Sequence, residues 1–247
     1  MHDISFSPKI AIVGRGNVAS HLIKAFDGKI NVYSVNPHIL SEIEDDTEIV
    51  LICIKDDAIS SIMAELPESI PVVAHTAGSV DIDVLRRRKG YGVFYPLQTF
   101  TSGVDLNYSE IPIFIEGNNT FSTQLLTKIA KTISRNVYKA DSEKRKKIHL
   151  ASVFACNFSN AMVGIGQSIL QENDIDPSVI VPLFNQTAAK LNVLSAKNAQ
   201  TGPARRGDIS VINEHLSMLA DNSLLSDIYK NISRYISATA EDIPANK

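Results

Sequence analysis

The sequence predicts an α/β protein in which a mostly parallel sheet domain is followed by an all-helical C-terminal domain. Three observations lead there. Short β-branched apolar runs alternate with helical stretches as far as residue 139, a glycine-rich turn follows the first of those runs, and no strand pattern recurs after Asp141. The chain has 247 residues, 44% of them hydrophobic, enough to bury cores in two modest domains, which we place at residues 1–141 and 142–247.

Taken in order, Lys9 to Val13 reads as a first strand, Val18 to Phe26 as a helix and Ile30 to Val35 as a second strand. Glu48 to Ile54 is an unbroken apolar run behind an acid, the pattern of a central strand buried on both faces. Ala58 to Leu66 then reads as a helix, Pro71 to His75 as a strand, Ile82 to Arg88 as a helix with a basic C-terminal end, and Gly92 to Tyr95 as a strand. Ile111 to Glu116, a helix over Thr120 to Ser134 and a strand over Asn136 to Lys139 complete the sheet domain.

Beyond Ser142 the apolar residues Ile148, Ala151, Ala155, Phe158, Met162, Ile165 and Ile169 keep helical spacing, which predicts one helix of about seven turns. A second helix is expected near Pro177 to Asn192, with Pro182 able to kink it, a third after Asp208 and a fourth through Leu225, Ile228, Ile232 and Ile236. Residues 238–247 are expected to fray.

A net charge of −3 gives no basic field suited to nucleic acid. Cys53 and Cys156, in apolar segments without CxxC spacing, read as reduced buried thiols, and scattered histidines offer no metal spacing. The first ten residues lack a signal-peptide layout, and apolar runs such as IVLICI are too short to span a bilayer, so a cytoplasmic location without membrane partners is expected.

Gly14, Gly16 and Ala19 match G-x-G-x-x-A between a strand and a helix. In that setting the first glycine makes the turn, the second admits a pyrophosphate to the backbone, and alanine allows close packing, so residues Gly14, Arg15, Gly16, Asn17 and Val18 are assigned to a dinucleotide in a Rossmann-type domain. Ser34-Val35-Asn36-Pro37-His38 stands where NAD-preferring sites carry a carboxylate, which favours NADP over NAD, with Ser34 and Asn36 beside the ribose. Ile54 and Lys55, after the third strand, are expected to flank the cofactor as well.

With the glycine loop, EIVLICIKDDAI, VVAHTAGSV, FYPLQTF, HLASVFACNFSNAM and GPARRGD in this order, the chain resembles the Rossmann-like, DUF2520-containing oxidoreductase group. Its relatives include pyrroline-5-carboxylate reductase and the deazaflavin-dependent NADP oxidoreductases. The resemblance implies a nucleotide-binding N-terminal domain and a helical C-terminal domain that helps to form a homodimer. Tyr95 departs from the family pattern, which has histidine before Pro-Leu, so that proton transfer there is lost or passes to a phenol. The segment before EIVLICI is also short, which leaves the sheet one strand poorer than a full Rossmann fold.

Residues at the carboxyl ends of strands are the natural ligand contacts. His75 is either a proton donor or a loop histidine bonded to a backbone carbonyl; Tyr95 either shares that task or only fills space. Gln98, placed after the same strand as Tyr95, is expected to touch substrate. On the long helix, His149, Asn160 and Gln167 lie on a polar face with few charges and Asn157 at its margin; Asn157 would orient a carbonyl or nicotinamide, and Asn160 would touch substrate. In TGPARRGD, Arg206 either clamps a carboxylate or makes a surface salt bridge, and Asp208 either caps a helix or touches the substrate. The expected function is hydride transfer between NADP(H) and a small, anionic carbonyl or imine compound. The alternatives are a non-catalytic dinucleotide sensor or scaffold, and a site for FAD or S-adenosylmethionine.

Overall fold

The computed structural model describes residues 7–240. Residues 1–6, part of the stretch inspected for a signal peptide, and 241–247, most of the tail expected to fray, lie outside them. The chain divides into two compact units, Met1–Asn160 and Ala161–Lys247. Residue 141, where the sequence changes character, is the N-cap of the long helix.

In the first unit, β1 (Ile10–Val13) leads into α1 (Asn17–Phe26), followed by β2 (Val32–Val35), β3 (Ile49–Ile52), β4 (Val72–His75), β5 (Tyr91–Pro96), β6 (Ile113–Gly117), α2 (Thr120–Ile133) and β7 (Val137–Lys139). The strands form one sheet in the order β2-β1-β3-β4-β5-β6-β7, parallel throughout except for the antiparallel pair β5 and β6. No strand separates β2 from β3 in the chain, so the sheet ends at β2 on that side, as the short connection predicts. The antiparallel β6 with β7 extends the other side, so the total reaches seven.

Side-chain alternation sends the two faces of this sheet to different covers. Ile10, Ile12, Ile49, Leu51, Val72 and Ala74 pack against Leu22 and Phe26 of α1 and Leu126 and Ile129 of α2. On the other face Ala11, Val13, Val50, Ile52 and Val73 meet Ile59, Ile62, Leu66 and Leu85. That second cover differs from the expectation of two helices. Ala58 to Leu66 and Ile82 to Arg88 form only short 3₁₀ turns, Asp56–Ala58, Ser61–Ala64 and Ile82–Leu85. Ser61 turns its hydroxyl onto the Ala58 carbonyl at 2.7 Å, the local competition by which serine disfavours helix interiors, and Pro67 bars continuation.

The long helix starts at Ser142, where Asp141 accepts from the Lys144 amide at 2.8 Å. It runs as α3 (Ser142–Ser152), a π-helical segment (Val153–Phe158) and α4 (Ser159–Gln171). Thirty residues long, it is apolar enough by length and composition to cross a membrane, a property hidden in the sequence because Asn157, Asn160 and Gln167 interrupt every contiguous run. Buried Arg145 fastens it to the sheet by an ion pair with Glu116 of β6 and bonds to the Val80 carbonyl and the Ser142 hydroxyl.

The second unit continues with α5 (Val181–Lys190), α6 (Ala196–Ala199), α7 (Pro203–Arg206), α8 (Ile209–Met218) and α9 (Ser223–Ala240). Its expected second helix splits at Pro182, with a 3₁₀ turn over Pro177–Ile180 before α5. The short α6 and α7 lie where no helix is predicted. Ala204 is the one buried residue of this unit among those described, and Leu183, Val193 and Met218 are 67%, 81% and 76% exposed.

Candidate functional site

The site begins where β1 turns into α1. Gly14 has φ +145°, and a Cβ on it would stand 2.2 Å from the Cys53 carbonyl oxygen, so only glycine lets β1 and the end of β3 approach there. Gly16 is different: a Cβ would meet nothing within 4 Å, which leaves space over the helix start. Gly16 caps α1 with no side-chain bond, and the first turn carries no acid, so its free N–H groups are not satisfied by a local carboxylate. They border a cavity of about 520 Å³ lined by Gly16, Asn17, Val18, Cys53, Ile54, Lys55, Gln98 and Phe100. Bare amides at a helix start, an open glycine and a cationic Lys55 rim form a donor set that fits a pyrophosphate. Burial pushes the Cys53 thiol up to about 12, which keeps it protonated and inert in this wall.

A loop from Leu97 to Pro112 roofs the cavity and is tied to one face of α1. Asn17 donates its amide to the Phe100 carbonyl at 2.9 Å, and His21 bridges the Thr101 carbonyl and Tyr108 hydroxyl, each at 2.9 Å. Lys24 pairs with Asp105. At the tip of β2, Ser34 is exposed, and Asn36 accepts from the His38 amide at 3.2 Å. The acids Glu44 and Asp46, further along the chain, pair with Lys9 at the opposite end of β1. Arg15 is exposed on the glycine turn.

A second cavity of about 370 Å³ shares Val18, Gln98 and Phe100 with the first and adds Thr76, Tyr95, His149, Ser152, Cys156 and Asn157. The Tyr95 hydroxyl lies 3.2 Å from Nδ1 of His149. Burial pushes its pKa up, against the opposing pull of the Ser152 hydroxyl and the Arg145 guanidinium. Gly78 sits behind this pair, where a Cβ would come within 2.8 Å of the Tyr95 ring and 2.7 Å of the imidazole. The π segment explains how Asn157 reaches the wall. Residues five apart would diverge by about 140° in an α-helix, whereas i→i+5 bonding stacks Asn157 over Ser152.

His75 does not join them. It is 0% exposed, its Nδ1 accepts from the Ala77 amide at 3.2 Å, and its buried Nε2 has no hydrogen-bond partner. Burial, reinforced by Arg145, lowers its pKa to about 4, so the imidazole is neutral and sealed at neutral pH. A proton donor needs contact with its acceptor, so the expected role does not suit this position. Asn160 is exposed on α4 and Arg206 is exposed on α7; neither lines these cavities. Asp208 caps α8, accepting from the Val211 amide at 3.3 Å. Cys156 is half-buried rather than buried. His149, Ser152 and Cys156 follow i, i+3, i+7 spacing, the one signal that would have grouped them; nothing in the sequence marks Phe100.

A family model described as a domain of unknown function, DUF2520, matches residues 111–236, just over half of the chain. Among solved structures, a presumed NADP oxidoreductase from Bacteroides fragilis superposes with a TM-score of 0.84 at 34% identity, covering 94% of this chain and 98% of that one. A Thermotoga maritima protein gives 0.72 at 21% identity, again over 94% and 98%. The 1-pyrroline-5-carboxylate reductase of Streptococcus pyogenes gives 0.60 at 13% identity over 95% and 99%, a likeness of fold. No curated protein matches. The family model matches more than half of the chain and the Bacteroides relative is 34% identical over 94% of it, and on that ground this chain belongs to the DUF2520 family.

Proposed function

We propose that the protein is an NADP(H)-dependent oxidoreductase acting on a small carbonyl or imine compound. The observation that carries this reading is the pair of adjoining cavities, one at the open helix start and one at the Tyr95 hydroxyl, with Val18, Gln98 and Phe100 common to both. The Bacteroides relative, an NADP oxidoreductase by description, supports the class.

In this reading Gly14, Arg15, Gly16, Asn17 and Val18 hold the pyrophosphate, Ser34 and Asn36 accommodate the ribose bearing the 2′-phosphate, and Ile54 and Lys55 flank the nicotinamide side. When bound, the dinucleotide supplies hydride. Tyr95 donates the proton at its phenol oxygen, Asn157 orients the carbonyl or imine, and Gln98 completes the wall and excludes water. Residues 1–141 form the cofactor domain and 142–247 the substrate and dimerisation domain. A homodimer would cover the apolar surface of the helices, where Phe154 is 62% and Leu183 67% exposed.

Calorimetric titration with NADP and NAD, followed by nicotinamide absorbance with a panel of keto, imino and hydroxy acids, tests the reading. Micromolar NADP uptake with turnover of at least one compound is expected. Uptake without turnover across the panel would favour a sensor; no uptake at all would overturn the proposal. Light scattering of the eluted protein at twice the chain mass, 27.0 kDa, checks the dimer.

A further inference from the structure

Tyr95, next to last in β5, is only 8% exposed, so a phenol there that gives its proton to a substrate needs a route for recovering it. Beside the Ser152 hydroxyl, the phenol has an imidazole as neighbour, a ring that can give a proton from one nitrogen and take one at the other. His149, one helix turn beyond Arg145, is only half-buried, and its Nδ1 faces the phenol oxygen at 3.2 Å with the two rings edge to face. Gly78 presses on both groups from the loop after β4, with no room for a side chain between them. This pairing joins residues 54 apart and is not needed to anchor the helix, a task performed by Arg145, Glu116 and Ser142.

We infer that His149 is the positioning residue that aims the Tyr95 hydroxyl into the second cavity and restores its proton from solvent. The inference rests on the oxidoreductase reading above. As the substrate carbon receives hydride and is reduced, its oxygen or nitrogen takes the phenol proton, and the O–H electron pair stays on Tyr95. His149 passes its Nδ1 proton to that oxygen while Nε2 takes one from water. The imidazole stays neutral and changes tautomer, and the net proton comes from solvent.

The remaining charged groups around the phenol are Arg145 on α3, whose cation favours the phenolate, and Asp56 after β3, whose carboxylate disfavours it; Ser152 adds a hydroxyl. Asp56 itself accepts from Ser79 at 2.5 Å.

The test is a titration of Tyr95 by NMR, using protein labelled at tyrosine Cζ, with the resonance assigned by its loss in Tyr95→Phe. An Nδ1–H donor stabilises phenolate, so His149→Phe should raise the Tyr95 midpoint by about one pH unit. His149→Asn, which places an amide donor near the Nδ1 position, should return it most of the way. A residue that only fills space would leave the midpoint unmoved in His149→Phe, and that result, or failure of asparagine to restore it, overturns the inference. Should His149→Phe not fold, the wild-type protein decides: the Tyr95 resonance must show a second inflection at the pH where the His149 ring nitrogens titrate, and its absence counts against the pair. The titration needs no dinucleotide, so it is separable from calorimetry on the same samples. No NADP uptake there would sink the oxidoreductase reading, and the relay with it, whatever the phenol does.

Discussion

His75 ties the fold to pH in a way that can be worked through from its surroundings. It closes β4, is fully buried, and has Nδ1 engaged by the Ala77 amide, so the neutral ring must carry its proton on Nε2. Burial first and the Arg145 guanidinium second lower its pKa from an ordinary 6.5 to about 4. The unfolded chain therefore binds a proton at a pH where the folded one does not. Stability is unaffected above about pH 6.5, falls as the pH drops from there towards 4, and has lost this whole contribution below both values. With about 1.36 kcal/mol for each pKa unit, the loss reaches about 2 kcal/mol at pH 5 and about 3 kcal/mol at pH 4. The carboxylates held low by their partners, Asp46, Asp81, Asp105 and Asp176, shed their stabilisation at more acid pH, which leaves the interval from 7 to 5 to the imidazole. In His75→Asn an amide oxygen can take the Ala77 bond without titrating. Urea unfolding followed by circular dichroism at pH 7, 6 and 5 should show wild type losing about 2 kcal/mol more than the variant across the range. Parallel stability curves for the two proteins would refute the reasoning.

Three further substitutions probe the framework. Gly14→Ala should lower stability by about 2 kcal/mol or more in thermal unfolding and abolish NADP uptake, since it forces a side chain onto φ +145° and against the Cys53 carbonyl; an alanine variant of wild-type stability would contradict this. Arg145→Met strands the Glu116 carboxylate at 15% exposure and should cost about 3–5 kcal/mol in urea unfolding, with Arg145→Met/Glu116→Leu recovering part of the loss. Asn36→Asp puts a carboxylate at the tip of β2 and should shift the ratio of NADP to NAD affinity by about tenfold or more towards NAD in calorimetry; an unchanged ratio would place the 2′-phosphate elsewhere.

Sheet elements were legible because their patterns have one solution. β3 can be apolar at four successive positions only if both faces are covered, and it is; the glycine turn after β1 fits only between a strand and a helix. The covers on the second face were not legible. A stretch such as AISSIMAEL carries helical spacing, and only the Ser61 back-bond and the following proline shorten it to 3₁₀ turns. His75 shows a subtler failure. It follows the rule that ligand contacts lie at strand ends, yet it shares its parity with Val73, which faces the second core, and β4 is flanked on both sides by strands. Strand position suggested chemistry where side-chain direction dictated burial.

The site itself depends on contacts that no local pattern encodes, and α1 shows why. Asn17, His21 and Lys24 fall at i, i+4 and i+7, which in a sequence reads as a solvated polar stripe. In the fold that stripe holds down the loop carrying Gln98 and Phe100, so the helix whose first turn borders the first cavity also fixes two walls of the neighbouring one. A ligand that orders the start of α1 must then bear on the cavity containing Tyr95, because both are built on the same few side chains. Loosening the stripe, as in His21→Ala, should weaken NADP uptake measured by calorimetry although His21 lines neither cavity; undiminished affinity in that variant would mean that the roof holds without its ties.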